Sequence, residues 1–437
     1  MAIATFFAFF AKGALAALPI QHWTQASGAQ VWLVQSPGIP MVDVQIDFDA
    51  GGRRDPADKA GLAAVTAGMA SKGVSGGNGQ SALDENQLGE AWADLGASFG
   101  AGAGGDRFSY SLRSLTDPDL LARAAQLAAR QIGQPSFPDA IWQRERQRLG
   151  ASIREANTRP ATVAARAYSQ AVYGTHPYGF ETTETTLARI EVADLQALHA
   201  ALIEACRAQV SIVGALDRVQ ADALATTLLS RLPQGKTCPA LPKVPEVAAL
   251  TEAKVIKLPF ASAQAHVFIG QPGFKRDDPD YFALLVGNYI LGGGGFVSRL
   301  TNEVREKRGL SYSVYSYFSP GLHAGAYTVG LQTRPDQAVQ AVQVAREVVA
   351  DFVANGPTTT ELAAAKANLI GGFALRIDSN RKLLDNVANI AGNGLALDYL
   401  DTWTQQVDKV TVADIKAAFA RKLQPDHMVT VVVGGKE

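Results

Sequence analysis

Apolar residues alternate with other residues over residues 42–48, the period of a strand that packs one face on a core. The same alternation returns over residues 265–271, and a polar turn containing arginine, aspartate and proline follows in both places. Residues 42–56 (VDVQIDFDAGGRRDP) align without a gap with residues 265–279 (AHVFIGQPGFKRDDP), at an offset of 223. Such self-similarity predicts equivalent strands in a duplicated chain.

A second repeat covers the end of each half. Residues 192–215 align with residues 412–435 at an offset of 220, and each copy is an amphipathic helical pattern followed by a β-branched strand that ends at glycine. Strands near both ends with helices between them predict an α+β fold. We expect two homologous domains, each a largely antiparallel sheet with helices packed on one face. Long helical patterns cover residues 120–131, 138–156, 336–354 and 360–376.

The repeats divide the chain into an N-terminal domain at residues 21–231 and a C-terminal domain at residues 255–437. The linker at residues 232–254 holds four prolines, which predicts a semi-rigid, extended segment. Two similar domains on such a linker can face each other across a cavity. The alternative is a duplicated structural protein with no site between its halves.

Composition removes some classes of function. The 437 residues include 40 basic and 41 acidic ones, and no block of like charges stands out. This balance argues against a nucleic-acid partner or an anionic membrane surface. Beyond the N-terminus, no apolar stretch reaches the ~18 residues that a membrane span needs.

The apolar start at residues 1–20 has two interpretations. It resembles an incomplete export signal, which would place the protein in the periplasm, but its early charge, Lys12, lies inside the apolar stretch. It is otherwise an ordinary N-terminal segment of a cytoplasmic protein. Cys206 and Cys238 are either two buried thiols or one bridge formed in an oxidising compartment. The six histidines include no pair at three- or four-residue spacing, so they form no local metal cluster.

Residues 50–74 (AGGRRDPADKAGLAAVTAGMASKGV) resemble the zinc-binding segment of the pitrilysin/insulinase-type zinc peptidases, the inverzincins. In that family a Gly-Leu-Ala lead enters H-x-x-E-H, whose histidines bind zinc while the glutamate polarises a zinc-bound water. Here the lead begins at Gly61, but the motif positions hold Ala64, Ala67 and Gly68. None of these residues can ligate zinc.

The resemblance also implies a third zinc ligand, a glutamate on a later helix. The best match leaves Ser152 at that position, although Glu145 and Glu155 leave the register open. We therefore expect no metal and no cofactor in this chain.

The strongest match to the family lies at residues 291–318 (LGGGGFVSRLTNEVREKRGLSYSVYSYF). The resemblance implies that Arg305 and Tyr312 reach across a cavity to a substrate near the zinc of a facing domain. A cation and a phenol aimed at a developing oxyanion lower the barrier to peptide hydrolysis. By spacing alone, the arginine is one charge of a helix face and the tyrosine is the first inward residue of a strand.

Four glycines, Gly292, Gly293, Gly294 and Gly295, precede this pair. They are similar to a shortened form of the glycine-rich loop that handles incoming peptide in the alpha subunit of the mitochondrial processing peptidase. The alternative is a mobile helix C-cap. A phosphate loop is excluded because no Gly-Lys-Ser/Thr follows.

Two further segments resemble parts of the first domain of these peptidases. Residues 96–112 resemble the strand pair beside the zinc helix, whose edge receives an extended peptide in active members. Residues 175–179 (THPYG) resemble a His-Pro-Tyr turn. We expect His176 to be a structural turn residue, because Pro177 fixes the backbone beside it.

The resemblance implies the non-zinc subunit of a heterodimeric zinc metallopeptidase, inactive alone. Its partner would be a homologous subunit that carries H-x-x-E-H and zinc, and its substrate would be a peptide. The alternatives are a structural protein, like the core subunits of the respiratory bc1 complex, and a peptide-binding module without a catalytic partner. Intact Arg305 and Tyr312 favour the first hypothesis.

Overall fold

Two β-sheets, one from each half of the chain, form the framework of the computed structural model, which describes residues 19–77, 79–235 and 237–435. The strands are β1 (Gln21–Thr24), β2 (Gln30–Gln35), β3 (Met41–Phe48), β4 (Gly73–Val74), β5 (Leu83–Asp84), β6 (Ser98–Ala103), β7 (Phe108–Leu115), β8 (Gln209–Gly214), β9 (Lys254–Leu258), β10 (Ala265–Pro272), β11 (Val314–Phe318), β12 (Ala326–Thr333) and β13 (Val429–Val433).

Fourteen α-helices of the described ranges surround the sheets. They are α1 (Leu62–Met69), α2 (Glu85–Asp94), α3 (Pro118–Gly133), α4 (Asp139–Asn157), α5 (Pro160–Tyr173), α6 (Glu184–Arg189), α7 (Val192–Leu202), α8 (Arg218–Leu229), α9 (Tyr281–Asn288), α10 (Ala338–Asn355), α11 (Thr359–Gly371), α12 (Asn380–Asn393), α13 (Tyr399–Lys409) and α14 (Val412–Lys422). The four long helical patterns of the sequence correspond to α3, α4, α10 and α11.

The two sheets share one strand plan. The first has the order β1-β2-β8-β3-β7-β6 and the second the order β11-β12-β10-β13-β9. Neighbouring strands are antiparallel except β2 with β8 and β9 with β13, which are parallel. The strands predicted from the first repeat are β3 and β10, at equivalent positions in their sheets. The predicted two-domain α+β fold is confirmed.

Each sheet buries one face under helices of its own half. Helices α1, α2, α3, α7 and α8 enclose the core of the first sheet, and α9, α10, α11, α13 and α14 enclose that of the second. The core side chains of the first sheet include Val44 and Ile46, which alternate along β3. Burial of such side chains contributes roughly 1.5–3 kcal/mol each, so these faces hold each half together.

The opposite face of the second sheet is covered by α5, a helix of the first half. Ala164 and Tyr168 on α5 pack against Val429 and Val431 of β13. The Tyr168 hydroxyl donates a hydrogen bond of 2.6 Å to the carbonyl oxygen of Tyr327 in β12. The sequence patterns gave no sign that this helix leaves its own sheet.

The first sheet receives α12 of the second half in return. This helix packs against β8 and β3, and the first-sheet residues Trp32, Val34 and Val213 therefore belong to the apolar cluster of the second half. The Arg107 guanidinium, on the first half, donates a 2.8 Å hydrogen bond to the carbonyl of Ala388 on α12. Strands β8 and β13 are central in their sheets and are buried on both faces. This explains why their sequences consist mostly of apolar residues.

The linker between the halves lies along the first domain. Its prolines at 239, 242 and 245 recur every three residues, the period of polyproline II, so their carbonyl groups lie on one face. The bridge between Cys206 and Cys238 ties the start of this segment to the first domain. Side chains of the first domain donate to the three carbonyls: Arg207 to Pro239 at 2.9 Å, Arg54 to Pro242 at 3.1 Å and His176 to Pro245 at 3.0 Å.

The linker then contacts the second domain through Glu246. Its carboxylate pairs with Lys275 at 2.6 Å and accepts the Ala324 N–H at 2.8 Å. Burial disfavours the charged carboxylate, but these hydrogen bonds outweigh it and lower the pKa of Glu246 to about 2. The predicted semi-rigid linker is thus held at both ends.

The possible signal remnant lies outside the described residues, apart from residues 19 and 20. Within the described ranges, none of the helices combines the length and the hydropathy that crossing a bilayer requires.

Replacing Tyr168, the tyrosine of α5 that reaches the second sheet, should weaken the contact between the halves. Tyr168→Phe removes the buried hydrogen bond to Tyr327, so we expect the free energy of unfolding to fall by about 1–2 kcal/mol. Urea unfolding followed by circular dichroism measures this change. Tyr312→Phe is the matched control, because the Tyr312 side chain is exposed. Equal stability of the two variants would contradict the role given to Tyr168.

Candidate functional site

Helix α1 is fixed at its start by the buried carboxylate of Asp55. The carboxylate oxygens accept the N–H of Gly61 at 2.9 Å and of Ala63 at 3.0 Å. Burial raises the pKa of Asp55 to about 6, although these backbone hydrogen bonds act in the opposite direction. Gly61 adopts φ +100°, a conformation that favours glycine. The helix that carries the degenerate zinc motif therefore keeps a defined start.

The motif positions line a cavity of about 560 Å³ between α1 and α4. Ala64, Gly68 and Ser152 all contribute to its wall, together with Glu145. Ala67 instead is buried in the core, with 1% of its surface exposed. Three of the four residues predicted for the lost zinc site therefore surround one space, and a Cβ added at Gly68 would meet no atom within 4 Å.

The two alternative glutamates lie in different surroundings. Glu145 lines the cavity and is buried, whereas Glu155 forms an ion pair with Arg159 on the outer side of α4. Burial disfavours the charged Glu145, but hydrogen bonds from Arg148 and Arg144 outweigh it and lower the pKa of its carboxyl group. One carboxylate from this helix thus remains at the cavity.

Positively charged side chains lie beside the Glu145 carboxylate, at the place where a metal would need further ligands. Glu145 lies 2.7 Å from Arg148, 3.0 Å from Arg144 and 3.9 Å from Lys72. A divalent cation needs several oxygen, nitrogen or sulfur donors, and nearby positive charges oppose it. The residues at this place do not fit zinc.

One group of histidine, cysteine or acidic side chains within the described ranges is close enough together to hold a metal. It consists of Glu204, Cys206 and Cys238. Because the two cysteines are bridged to each other, they offer no thiolate.

A second cavity, of about 450 Å³, adjoins the first and shares Ala64 with it. The second half closes it with residues 319–321, which come from the loop between β11 and β12. The Tyr178 hydroxyl donates to Asp106 at 2.6 Å, and that carboxylate also accepts the Leu322 N–H at 3.1 Å. The lining of this cavity therefore comes from both halves of the chain.

His176 belongs to the turn beside this cavity. Its Nδ1 accepts the N–H of Tyr178 at 3.1 Å, and its Nε2 donates to the Pro245 carbonyl of the linker. Both ring nitrogens are therefore engaged in holding backbone. This geometry agrees with the interpretation of His176 as a structural turn residue.

Arg305 and Tyr312 lie together on the surface of the second half. The guanidinium carbon of Arg305 lies 5.0 Å from the ring centre of Tyr312 and 4.8 Å from that of Phe296. These contacts are cation–π interactions. We call Phe296, Arg305 and Tyr312 the aromatic–arginine cluster. Its aromatic members are strongly exposed, Tyr312 at 83% and Phe296 at 73%.

The local chain explains why Tyr312 projects outward. Gly309 adopts φ +60° and reverses the chain after the π-helical segment Thr301–Glu306. Leu310 is buried next, and the Ser311 hydroxyl lies 2.7 Å from the Ser313 carbonyl oxygen and 2.6 Å from that of Gln332, which share its one hydrogen. With both preceding residues anchored, the Tyr312 side chain points away from the core.

The glycine run lines a third cavity, of about 580 Å³, beside strand β11. Gly292, Gly293 and Gly295 belong to its wall, as do Tyr315 and Tyr317. A Cβ at Gly292 would lie 2.3 Å from the Ser316 hydroxyl, so close packing requires glycine there.

Gly294 does not line this cavity. Its N–H closes a π-helical turn on the Tyr289 carbonyl at 2.8 Å. The glycine run thus begins inside one π-helical segment, Tyr289–Gly293, and a second, Thr301–Glu306, follows it. Such segments are frequent at functional sites.

The cavity lining and the contacts divide the predicted residues into two groups. Ala64, Gly68 and Ser152 share one cavity, and Arg305 contacts Tyr312, but neither member of this pair lines the cavity of Ala64. The sequence reasoning missed Phe296 and the loop at residues 319–321. Phe296 follows the glycine run directly. An aromatic residue in that place was the one feature of the sequence that could have indicated its role.

Comparison with known proteins gives this arrangement a context. Residues 30–186 match the model of the insulinase (M16) peptidase family, and residues 189–369 match that of the M16 peptidase inactive domain. The crystal structure of a peptidase M16 inactive domain from Pseudomonas fluorescens has a TM-score of 0.90 and 35% identity, and covers 96% of this chain and 98% of that one.

Two curated relatives are bacterial. A Streptomyces coelicolor protein described as an uncharacterized zinc protease is 34% identical over 157 residues, which are 35% of this chain and 33% of that protein. A Helicobacter pylori protein described as the non-peptidase homolog YmxG is 29% identical over 260 residues, 58% of each chain. The chain thus spans a third to just over half of these relatives. On the family models and the Pseudomonas structure, the chain belongs to the insulinase family of peptidases, M16.

Proposed function

We propose that this chain is the non-zinc subunit of a heterodimeric zinc metallopeptidase. It supplies Arg305 and Tyr312 to a zinc site carried by a homologous partner with H-x-x-E-H. The chain cleaves no peptide alone, because its own α1 holds Ala64, Ala67 and Gly68 at the motif positions. The description of one relative as a non-peptidase homologue supports a non-catalytic chain.

The aromatic–arginine cluster is the observation that carries this proposal. A tyrosine that is 83% exposed and stacked on a guanidinium gains little from folding of its own chain. Tyrosine and arginine are the residue types that dominate binding energy at interfaces. The cluster is therefore suited to contact a partner and a substrate bound to it.

The chemistry of the pair suits peptide hydrolysis. Attack of water on a peptide carbonyl places negative charge on its oxygen, and a guanidinium and a phenol O–H both stabilise that charge. Cation–π contact with Phe296 and Tyr312 restricts the side chain of Arg305. Gly292, Gly293, Gly295 and the tyrosines of β11 border the cavity that would receive the peptide chain.

A peptide-binding role without catalysis is the second candidate. The cavity beside β11 has about 580 Å³ and is lined by Tyr315 and Tyr317, so an extended peptide could bind there without a zinc partner. This candidate predicts peptide binding by the chain alone.

Export to an oxidising compartment is part of the proposal. The Cys206–Cys238 bridge fixes the linker to the first domain, and structural disulfides persist in compartments such as the periplasm. The apolar start of the sequence supports the same location.

The purified chain should hold no stoichiometric zinc, because Ala64, Gly68 and Ser152 offer no strong ligand. After equilibration with zinc and a chelator wash, elemental analysis should find far less than about one zinc per chain. A full equivalent that is lost in Glu145→Gln but kept in Glu204→Gln would locate zinc in the cavity between α1 and α4 and contradict the proposal.

Reconstitution with the zinc-bearing partner should produce activity that depends on the cluster. Arg305→Ala or Tyr312→Phe should lower kcat for an unstructured peptide by about 10²-fold, the effect of losing one oxyanion donor. Size-exclusion chromatography should still show the complex. Arg308→Ala is the matched control, since Arg308 lies three residues away and pairs with Glu303 at 2.7 Å. Full activity in both cluster variants would favour a structural subunit.

Native protein should carry the marks of export. Intact mass should show the loss of roughly the first 17 residues, and Cys206 and Cys238 should resist alkylation until a reductant is added. Fractionation should place the protein in the periplasm. Cytosolic protein that retains Met1 and reacts with the alkylating reagent before reduction would overturn this part of the proposal.

A further inference from the structure

The two halves differ in what covers two equivalent strands, β2 in the first sheet and β9 in the second. In the first half, α8 packs against α3 and β2. Its apolar face follows helical spacing and is buried. That face consists of Ala221, Leu224, Ala225, Leu228 and Leu229.

Strand pairing gives the equivalent positions in the second half. Val31 of β2 pairs with Val210 of β8, and Val255 of β9 pairs with Thr430 of β13. Val31 is fully buried, whereas Val255 is 63% exposed. The same strand position is thus covered in the first half and bare in the second.

The uncovered surface forms a groove of about 940 Å³ between β9 and α10. Val255, Leu258, Val339 and Val342 contribute apolar walls, and Val339 is 73% exposed. Within the described ranges no helix covers Val255 or Val339. Helix α8 has twelve residues and is about 18 Å long. The groove lies at the position in the second half that is equivalent to the position of α8 in the first.

The groove also has a net positive charge. Lys257 occupies the position in β9 that Leu33 occupies in β2. Its side chain is exposed and has no hydrogen-bond or ion-pair partner among the described residues. Arg346 donates to two neutral groups, the Thr430 hydroxyl and a proline carbonyl. The single acidic side chain of the lining, Asp336, is paired with Arg334 at 2.5 Å. An occupant with acidic residues would complement this charge.

We infer that this groove binds an amphipathic α-helix of a partner protein, a helix with an alanine- and leucine-rich face like that of α8 and acidic flanks. Helix-in-groove recognition buries such a face at spacings of three and four residues. The partner helix occupies the position that α8 fills in the first half, and its carboxylates meet Lys257 and Arg346. This surface is independent of the aromatic–arginine cluster.

A labelled peptide with the sequence of residues 216–231, carrying Arg218→Glu and Arg231→Glu to make it acidic, tests the inference. Fluorescence anisotropy with the full chain should show saturable binding. Val255→Asp and Val339→Asp should each weaken binding at least ~10-fold, because both place a negative charge in the apolar wall and repel the acidic peptide. Val219→Asp is the matched control, since Val219 is 78% exposed on α8 and its replacement should leave binding unchanged. A peptide with Leu224→Asp and Leu228→Asp should not bind.

Three results would overturn the inference. The first is no saturable binding at ~1 mM peptide, and the second is equal binding by Val255→Asp, Val339→Asp and the unaltered chain. The third is a concentration-dependent dimer that Val255→Asp abolishes, which would assign the groove to a second copy of this chain.

Discussion

Helix α5 of the first half lies on the second sheet, and α12 of the second half lies on the first. This exchange covers the face of each sheet that its own helices leave bare, and it places Tyr168 in hydrogen-bonding contact with Tyr327. Neither half can bury both faces of its sheet without the other. The loop at residues 319–321 of the second half closes one of the two cavities that Ala64 lines.

The same constraint explains why α1 persists without its metal ligands. Its apolar side is part of the core of the first sheet, and Asp55 holds its first turn. Loss of Leu62 or Met69 would open a cavity in that core, which costs several kcal/mol. Loss of a ligand at position 64 or 68, both on the cavity wall, costs the fold little. A peptidase domain can therefore lose its zinc chemistry and keep its structure.

Much of the fold followed from the sequence because the two repeats carry strand and helix periods that local physics enforces. The sequence also predicted no zinc ligation at positions 64, 67 and 68, since alanine and glycine offer no side-chain donor atoms. The exchange of α5 and α12 could not be predicted, because an amphipathic helix does not encode which sheet it covers. Side-chain contacts that residue spacing does not specify, such as the Cys206–Cys238 bridge and the cation–π contact of Arg305 with Phe296, likewise arise only when the chain is folded.

The central claim is that Arg305 and Tyr312 complete a zinc site on another chain. A crystal structure of the heterodimer with a phosphinate peptide, whose tetrahedral oxygens mimic the transition state, tests it most directly. We expect the Tyr312 hydroxyl and the Arg305 guanidinium to lie about 2.7–3.1 Å from an inhibitor oxygen at the partner's zinc. A complex in which both side chains face solvent, with the inhibitor bound by the partner alone, would contradict it.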